Sequence, residues 1–333
     1  MSEARKKYDV YGVGNALVDL VCKVDDSFFQ EKEIQKGVMT LIDRARHDTL
    51  FPGLTVEKRE GGGSAANTMV ALSFLGGRGF YSCRVANDEF GQFYLDELAH
   101  EFLKTNLKKD ALPDGVTGKC MVMVTPDADR TMNTFLGATE QFSSTQLDEQ
   151  ALAQSEWLYI EGYLVAQSSA QKAVVEAVRM ARKHGVMVSL TFSDPTMLQY
   201  FRDGMNEIIG QGVDLIFCNE DEAYAFAGTD DLATAADAIK KIAKTFAITR
   251  GSKGTLVYDG AALTEVPGNQ VKAIDTVGAG DMFAGAFLYS ITHGFSYEEA
   301  AKLANFAASR VVTKYGPRLS KDELQEILRE FGK

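Results

Sequence analysis

Residues 155–192 read SEWLYIEGYLVAQSSAQKAVVEAVRMARKHGVMVSLTF. The stretch opens with the short apolar run SEWLYIEGYL, passes through SAQKAVVEAVRMARKHG and returns to VMVSLTF. That is the pattern of strand, helix and strand. The rhythm continues downstream. The turn SDP leads to a helix MLQYFRDGMNEII, a strand VDLIFCN, helices EDEAYAFAG and DLATAADAIKKIAK, and strands FAITRG and GTLVYDG. Repeated strand–helix units imply a parallel sheet covered by helices on both faces. Ligands of such sheets sit at the carboxyl ends of the strands.

Upstream, YDVYGVGNALVDL (8–20) reads as a first strand, with Asn15 and Asp19 on one face by period two. GGGSAAN (61–67) leads into a helix with Ala66, Met69, Val70 and Phe74 at helical spacing, and Ser64 reads as its N-cap. GFYSCRVA is a strand, and DEFGQFYLDELAHEFLK is an amphipathic helix. Residues 116–138 interrupt the strand–helix rhythm. Two strands joined by a turn at Pro126–Asp129 follow each other directly there and read as an inserted flap. With no repeat, linker or low-complexity run, the chain reads as one domain over 1–333. Its lid is drawn from segments at about 20–60 and 107–140.

The bulk numbers agree with an ordinary globular chain. It has 333 residues, 45% of them hydrophobic, and a formal net charge of -11. An acidic balance argues against nucleic acid and anionic membranes as partners, because both reward basic patches. No run approaches the ~18 apolar residues of a membrane span, and a cytoplasmic location is expected. The cysteines, Cys22, Cys83, Cys120 and Cys218, show no CxxC pairing and read as buried free thiols. His47, His100, His184 and His293 have no metal-ligand spacing and read as surface or helix-end residues. Trp157 and Tyr159 read as core. GVGNAL lacks the third glycine of a dinucleotide fingerprint, and TRGSKGT has no P-loop frame, so neither nucleotide fold is supported.

Chemistry concentrates in a few stretches. In DTVGAGD (275–281), glycines precede a helix, so the N–H groups of Ala279, Gly280 and Asp281 can face one anion. Asp281 reads either as a helix N-terminal acid or as an active-site carboxylate. Asn67 is hard to explain by packing. Asp19 needs solvent or a polar site beside Val18 and Leu20. NEDE (219–222) reads either as a polar helix start or as a group holding Mg²⁺ through water. Arg130, at the flap turn, reads as a surface cation or as an arginine that closes on phosphates.

Together these pieces resemble the ribokinase-like (PfkB) family of carbohydrate and nucleoside kinases. DTVGAGD matches the family's C-terminal signature, GGGSAAN its N-terminal glycine motif, NEDE its Asn-x-x-Glu motif and TRGSKG its strand-end turn near ATP. The resemblance implies a three-layer α/β/α fold with a mostly parallel sheet and a small β lid. It implies transfer of the γ-phosphoryl of ATP to a hydroxymethyl group, with Asp281 as base, Gly278, Ala279 and Gly280 as anion hole, and Arg130 closing from the lid. Asn219, Thr249, Gly251, Gly254 and Asn305 would lie along ATP, with Asn219 and Glu222 reaching Mg²⁺ through water. Asp275 and Val277 would be candidates for K⁺, with residues 312–320 closing the ring.

Within the family, GNALVD (14–19) is similar to adenosine kinases, which implies Asp19 and Asn67 on ribose hydroxyls. Gly62 and Gly63 would floor that site, and Asn15, Leu136 and Tyr163 would line the base pocket. Asp129, Arg130 and LTFSDP lean the same way. Ala65 and Ala66 depart from it, because several sugar kinases carry alanines there; a ribose or fructose kinase is the second reading. A non-catalytic nucleotide-binding protein on the same fold and a dehydrogenase are the outside alternatives. The state expected is a monomer or a lid-mediated homodimer.

Overall fold

The computed structural model describes residues 5–127 and 130–332. Its strands are β1 (Tyr8–Val13), β2 (Leu17–Lys23), β3 (Met39–Leu41), β4 (Val56–Gly62), β5 (Gly79–Ser82), β6 (Lys104–Thr105), β7 (Gly118–Val124), β8 (Arg130–Phe135), β9 (Ser155–Ile160), β10 (Met187–Thr191), β11 (Val213–Asn219), β12 (Ala243–Thr249), β13 (Thr255–Tyr258) and β14 (Leu263–Val266). Nine form one sheet in the order β14-β13-β12-β11-β10-β9-β1-β5-β6. From β12 to β6 every pairing is parallel; β13 and β14 add an antiparallel edge.

Alternation along the strands builds two cores. In β9, Trp157 and Tyr159 pack on one face with Leu215, Phe217 and Ala247, under the helices Ser64–Leu75, Ala279–Thr292, Tyr297–Val311 and Lys321–Glu330. Leu158 and Ile160 point the other way, against the helix Ser168–Lys183. That helix buries Ala170, Ala173, Val174, Ala177, Val178 and Ala181, three or four residues apart, and stops at Gly185 with φ +64°. Full burial of one such valine is worth roughly 1.5–3 kcal/mol. Helices on both faces of a mostly parallel sheet give the three-layer α/β/α fold.

The remaining strands form a five-stranded sheet, β3-β8-β7-β2-β4. It is made from residues 17–62 and 118–135, with β7 and β8 as an antiparallel hairpin. Asp129 lies outside the described residues. The run 8–20 is therefore two strands, not one. At Gly14 the chain passes so close to the helix Ser64–Leu75 that a β-carbon would lie 2.4 Å from that of Ala65. There it leaves the main sheet for the second. Asn15 consequently lies in the link between the two sheets, Asp19 lies within the second, and they share no strand face.

From β1, the chain builds the sheet outward through β5 and β6, and then from β9 through β12 on the other side. The carboxyl ends of β1 and β9 thus mark a topological switch point.

The cysteines are all free and buried. Burial pushes the Cys22 thiol up to about 11 and Cys120 up to about 12, and raises Cys83 and Cys218 as well. A thiol-specific reagent at pH 8 should therefore find no fast-reacting group in the native protein and four in denaturant; one rapid native equivalent would contradict this burial. Among the histidines, His47 meets the helix-end expectation, in the last turn of the helix Arg44–Leu50, but not the surface one. It is buried and stacked against Phe51.

Candidate active site

The helix Ala279–Thr292 starts from Gly278 at φ +79°, where a β-carbon would sit 2.5 Å from Pro317. Asp281 lies in its first turn. One carboxylate oxygen accepts the Ser64 hydroxyl at 2.7 Å, the other the Asn67 amide at 2.9 Å. Ser64 is thus not the N-cap of its helix; Gly63 is, at φ +106°, and the serine hydroxyl spans to Asp281 instead. Burial pushes Asp281 up to about 6, against the pull of those two hydrogen bonds and the nearby Arg318 charge. A carboxylate poised there is ionised at neutral pH yet basic enough to take a proton.

Beside it, the Gly280 and Asp281 N–H groups have no acceptor among the described residues, and a β-carbon on Gly280 would meet nothing within 4 Å. The Ala279 N–H differs from the sequence expectation: it donates to Thr276 O at 3.2 Å. Two donors at a helix N-terminus, rather than three, are thus left without an acceptor among the described residues.

Asp19 lies over Gly62, where a β-carbon would come within 2.5 Å of its carboxylate. It accepts no hydrogen bond among the described residues. Burial raises it to about 7, Arg318 pulls it down, and Glu60 and Glu97 push it further up. Asn15 is turned inward: its amide donates to Glu161 at 2.7 Å and accepts from Thr139 and Gln167. Tyr163 donates to Ser193 O at 3.2 Å, and its hydroxyl is held neutral by burial and by Asp194, Asp281, Glu161 and Glu222 around it. Leu136 follows β8, its carbonyl accepting from Thr139.

Asn219 and Glu222 close on each other. Asn219 caps the helix Glu220–Ala227, accepts the Glu222 N–H and donates to both Glu222 oxygens; burial raises that carboxyl to about 7. Among the described residues there is no three-member cluster of metal-ligating side chains. The two side chains are committed to each other, so the pair itself offers a cation at most the carboxylate edge left over. Thr249 ends β12 in register with Asn219, and Gly251 is open at φ +56°. Gly254 has a packing reason instead, since a β-carbon would meet Val266 O at 2.0 Å. Asn305 is likewise engaged: Thr255 and the carbonyls of Val266 and Pro267 take both ends of its amide.

Arg130, at the start of β8, is not a free surface cation. Its guanidinium donates to Asp275 at 2.6 Å and lies 5.1 Å from the Tyr315 ring. Asp275 also accepts from Val277 N–H and Gly316 N–H. The carboxylate expected to face K⁺ is thus already neutralised by an arginine, and this donor set fits a monovalent cation poorly. Val277 itself is exposed.

Two functional candidates escaped the sequence reading. Glu161, just past β9, is buried and ties three elements: its oxygens accept from Asn15 and from the Ala65 N–H. Its signal is a carboxylate directly after the apolar run Trp157–Ile160. Arg318 reaches Asn67 at 2.8 Å and Glu101 at 2.5 Å. Nothing in the local sequence marks it.

The model of the pfkB family carbohydrate kinases matches residues 41–324. The chain belongs to the PfkB family. As a member of it, the protein is a kinase, with ATP implied as phosphoryl donor. This PfkB kinase is 27% identical to adenosine kinase of Saccharomyces cerevisiae over 335 residues, covering 94% of this chain and 97% of the yeast protein. The solved structure of adenosine kinase from Sinorhizobium meliloti is 36% identical, with a TM-score of 0.87, over 97% of this chain and 99% of that one. That of a probable sugar kinase from Rhizobium etli is 32% identical, with a TM-score of 0.88, over 98% and 99%.

Proposed function

We propose that this kinase phosphorylates the 5′-hydroxyl of a nucleoside, with adenosine the first candidate. The observation that carries the reading is a single juxtaposition: Asp281, held by Ser64 and Asn67, beside the two open N–H donors of its own helix start. The donors suit phosphoryl oxygens. The carboxylate suits the attacking hydroxyl, whose proton it takes as transfer proceeds. Asp19, over Gly62 and with no donor to it among the described residues, suits ribose hydroxyls. The likeness to two adenosine kinases supports the nucleoside.

Mg²⁺, bound with ATP, would screen phosphate charge, and Asn219 and Glu222 would meet its waters. Gly280 and Asp281 N–H groups hold the transferring group; one such donor is worth about 2.7–4 kcal/mol in other enzymes. Arg130 bridges from the second sheet to Asp275 and helps exclude water from the cleft. That sheet acts as a lid.

We further infer action in the cytoplasm. Among the described residues, no helix is long and apolar enough to cross a membrane. The edge strand β3, with Met39 and Leu41 exposed, leaves a lid-mediated homodimer open beside the monomer. The sugar-kinase reading is favoured by Ala65 and Ala66 and by the likeness to the Rhizobium etli protein. ADP release from ATP with adenosine, inosine, guanosine, cytidine, ribose and fructose separates the two. Adenosine is expected to be the best acceptor; activity on sugars alone would overturn the nucleoside assignment.

A further inference from the structure

An asparagine side chain has a donor end and an acceptor end that differ little in shape. Which end of Asn67 faces Asp281 decides whether the carboxylate is supported or repelled. The neighbour on the far side settles this. Arg318 Nε lies 2.8 Å from Asn67 Oδ1, and a guanidinium has donors only. The oxygen must therefore face Arg318, which leaves the NH₂ group for Asp281 Oδ2 at 2.9 Å. Arg318 is itself oriented, because its Nη1 donates to Glu101 Oε1 at 2.5 Å and lies 3.9 Å from Glu97 Oε2.

The result is a chain Glu101–Arg318–Asn67–Asp281 that joins the end of the helix Glu89–His100, the segment before the helix Lys321–Glu330, and two helix starts. Leu319, buried beside Arg318, anchors that segment in the core. Without the arginine, the Asn67 amide is free to turn its oxygen toward a carboxylate, and two acceptors would then face each other.

We propose that Arg318 is a positioning residue for the phosphoryl-transfer reaction: it fixes the orientation of the Asn67 amide, and through it the geometry and charge of Asp281. This rests on the reading of Asp281 as the base.

The charges around the pair define what the test must separate. Asp281 is faced by Ser64 and Asn67 from one helix, by Tyr159 on β9, by Glu161 and Tyr163 after β9, and by Arg318. Arg318 is faced by Tyr94 and Glu97 from the helix Glu89–His100, by Glu101 at its C-cap and by Asp19 from β2. Asp19 in turn meets Glu60, Glu97 and Arg130. Of these groups facing Asp281 among the described residues, Arg318 alone is cationic. Its removal should raise the carboxylate's pKa and move the acid limb of turnover to higher pH.

The experiment measures kcat and both KM values from pH 5 to 9 for wild type, Arg318→Gln and Arg318→Lys, with ATP and the best acceptor of the panel. Arg318→Gln is expected to lower kcat by about 10- to 100-fold, as small misplacements of a reacting group do. KM for ATP should stay within about threefold, and the acid limb should rise by about one pH unit. Arg318→Lys keeps the charge but cannot span both Asn67 and Glu101. It should restore the acid limb and leave kcat low.

Wild-type kcat and an unmoved acid limb in a folded Arg318→Gln protein would overturn the proposal. So would full rescue of kcat by lysine, which would show that charge alone matters. If Arg318→Gln does not fold, Glu101→Gln and Arg318→Lys carry the test, with lower kcat expected in each and unchanged kcat overturning it. A carboxyl ¹³C titration of Asp281, assigned by difference from Asp281→Asn, reads the same shift without substrate. An upward shift in a protein that phosphorylates nothing in the panel would sink the functional reading and leave the positioning role standing; no shift would sink the positioning role.

Discussion

Asp281→Asn is expected to lower kcat by about 10²–10⁴-fold, the usual contribution of a positioned general base. KM for ATP and acceptor should change by only a few fold. Asparagine is isosteric and leaves the Gly280 and Asp281 backbone donors where they are. It cannot accept the proton. The pH profile gives the sharper signature. Burial sets the Asp281 carboxyl at about 6, above the ordinary aspartate range, with Ser64, Asn67 and Arg318 opposing that shift. The base must be ionised to act, so wild-type turnover should rise through pH 6 and level off above 7. Asp281→Asn should lose that limb along with its rate. The stability sign is the reverse. A carboxyl whose folded pKa is raised binds its proton more tightly when folded, so its ionisation destabilises the fold as pH rises from the unfolded pKa through about 6. The carboxylate is therefore kept at a cost to stability, which fits a functional role. Undiminished turnover in Asp281→Asn would remove the assignment, and a wild-type limb near pH 4 would remove the environment argued for it.

Legibility of the site in the sequence depends on range. The strand–helix units of 155–192 were legible because each period, two or 3.6, is a local property with local stops such as Gly185. Strand β14 leaves no clear pattern in the sequence: its four residues alternate too briefly, and two of them, Leu263 and Glu265, are exposed. The break at Gly14–Ala16 was invisible because the apolar pattern runs straight through it. What redirects the chain there is the helix from Ser64, which arrives from far along the sequence. DTVGAGD and GGGSAAN were legible as pieces. Their meeting was not, since Ser64 and Asp281 are 217 residues apart and Asn67 and Arg318 are 251 apart. Ser64 shows the cost. Local rules made it a cap, and a tertiary partner claimed its hydroxyl. Arg130 and Asp275 each stand out in the sequence, yet their ion pair does not, because pairing between exposed-looking charges leaves no pattern in the chain.

Gly63→Ala is expected to damage the fold and the site together. Gly63 holds φ +106°, a conformation that costs an L-residue about 1–3 kcal/mol. The new β-carbon would also lie 2.1 Å from Asn15 O. That oxygen cannot easily retreat, since it accepts the hydroxyl of the fully buried Tyr81 at 2.9 Å and its residue is fastened to Glu161. The helix start must therefore move, and with it Ser64 and Asn67, the two donors that hold Asp281. We expect a loss of about 2–4 kcal/mol in denaturant unfolding, in the range of strain plus overpacking. A fall in kcat of about 10²-fold should accompany it, as misplaced reacting groups produce. Gly280→Ala is the control. Its helical backbone has no clash within 4 Å, so it should gain about 0.4–1 kcal/mol. Its methyl group would project into the space beside the open N–H donors, so that any penalty falls on ATP affinity and turnover instead of on folding. If Gly63→Ala unfolds at the wild-type denaturant midpoint and turns over normally, the contact between the Gly63 turn and Asn15 does not hold the base in place.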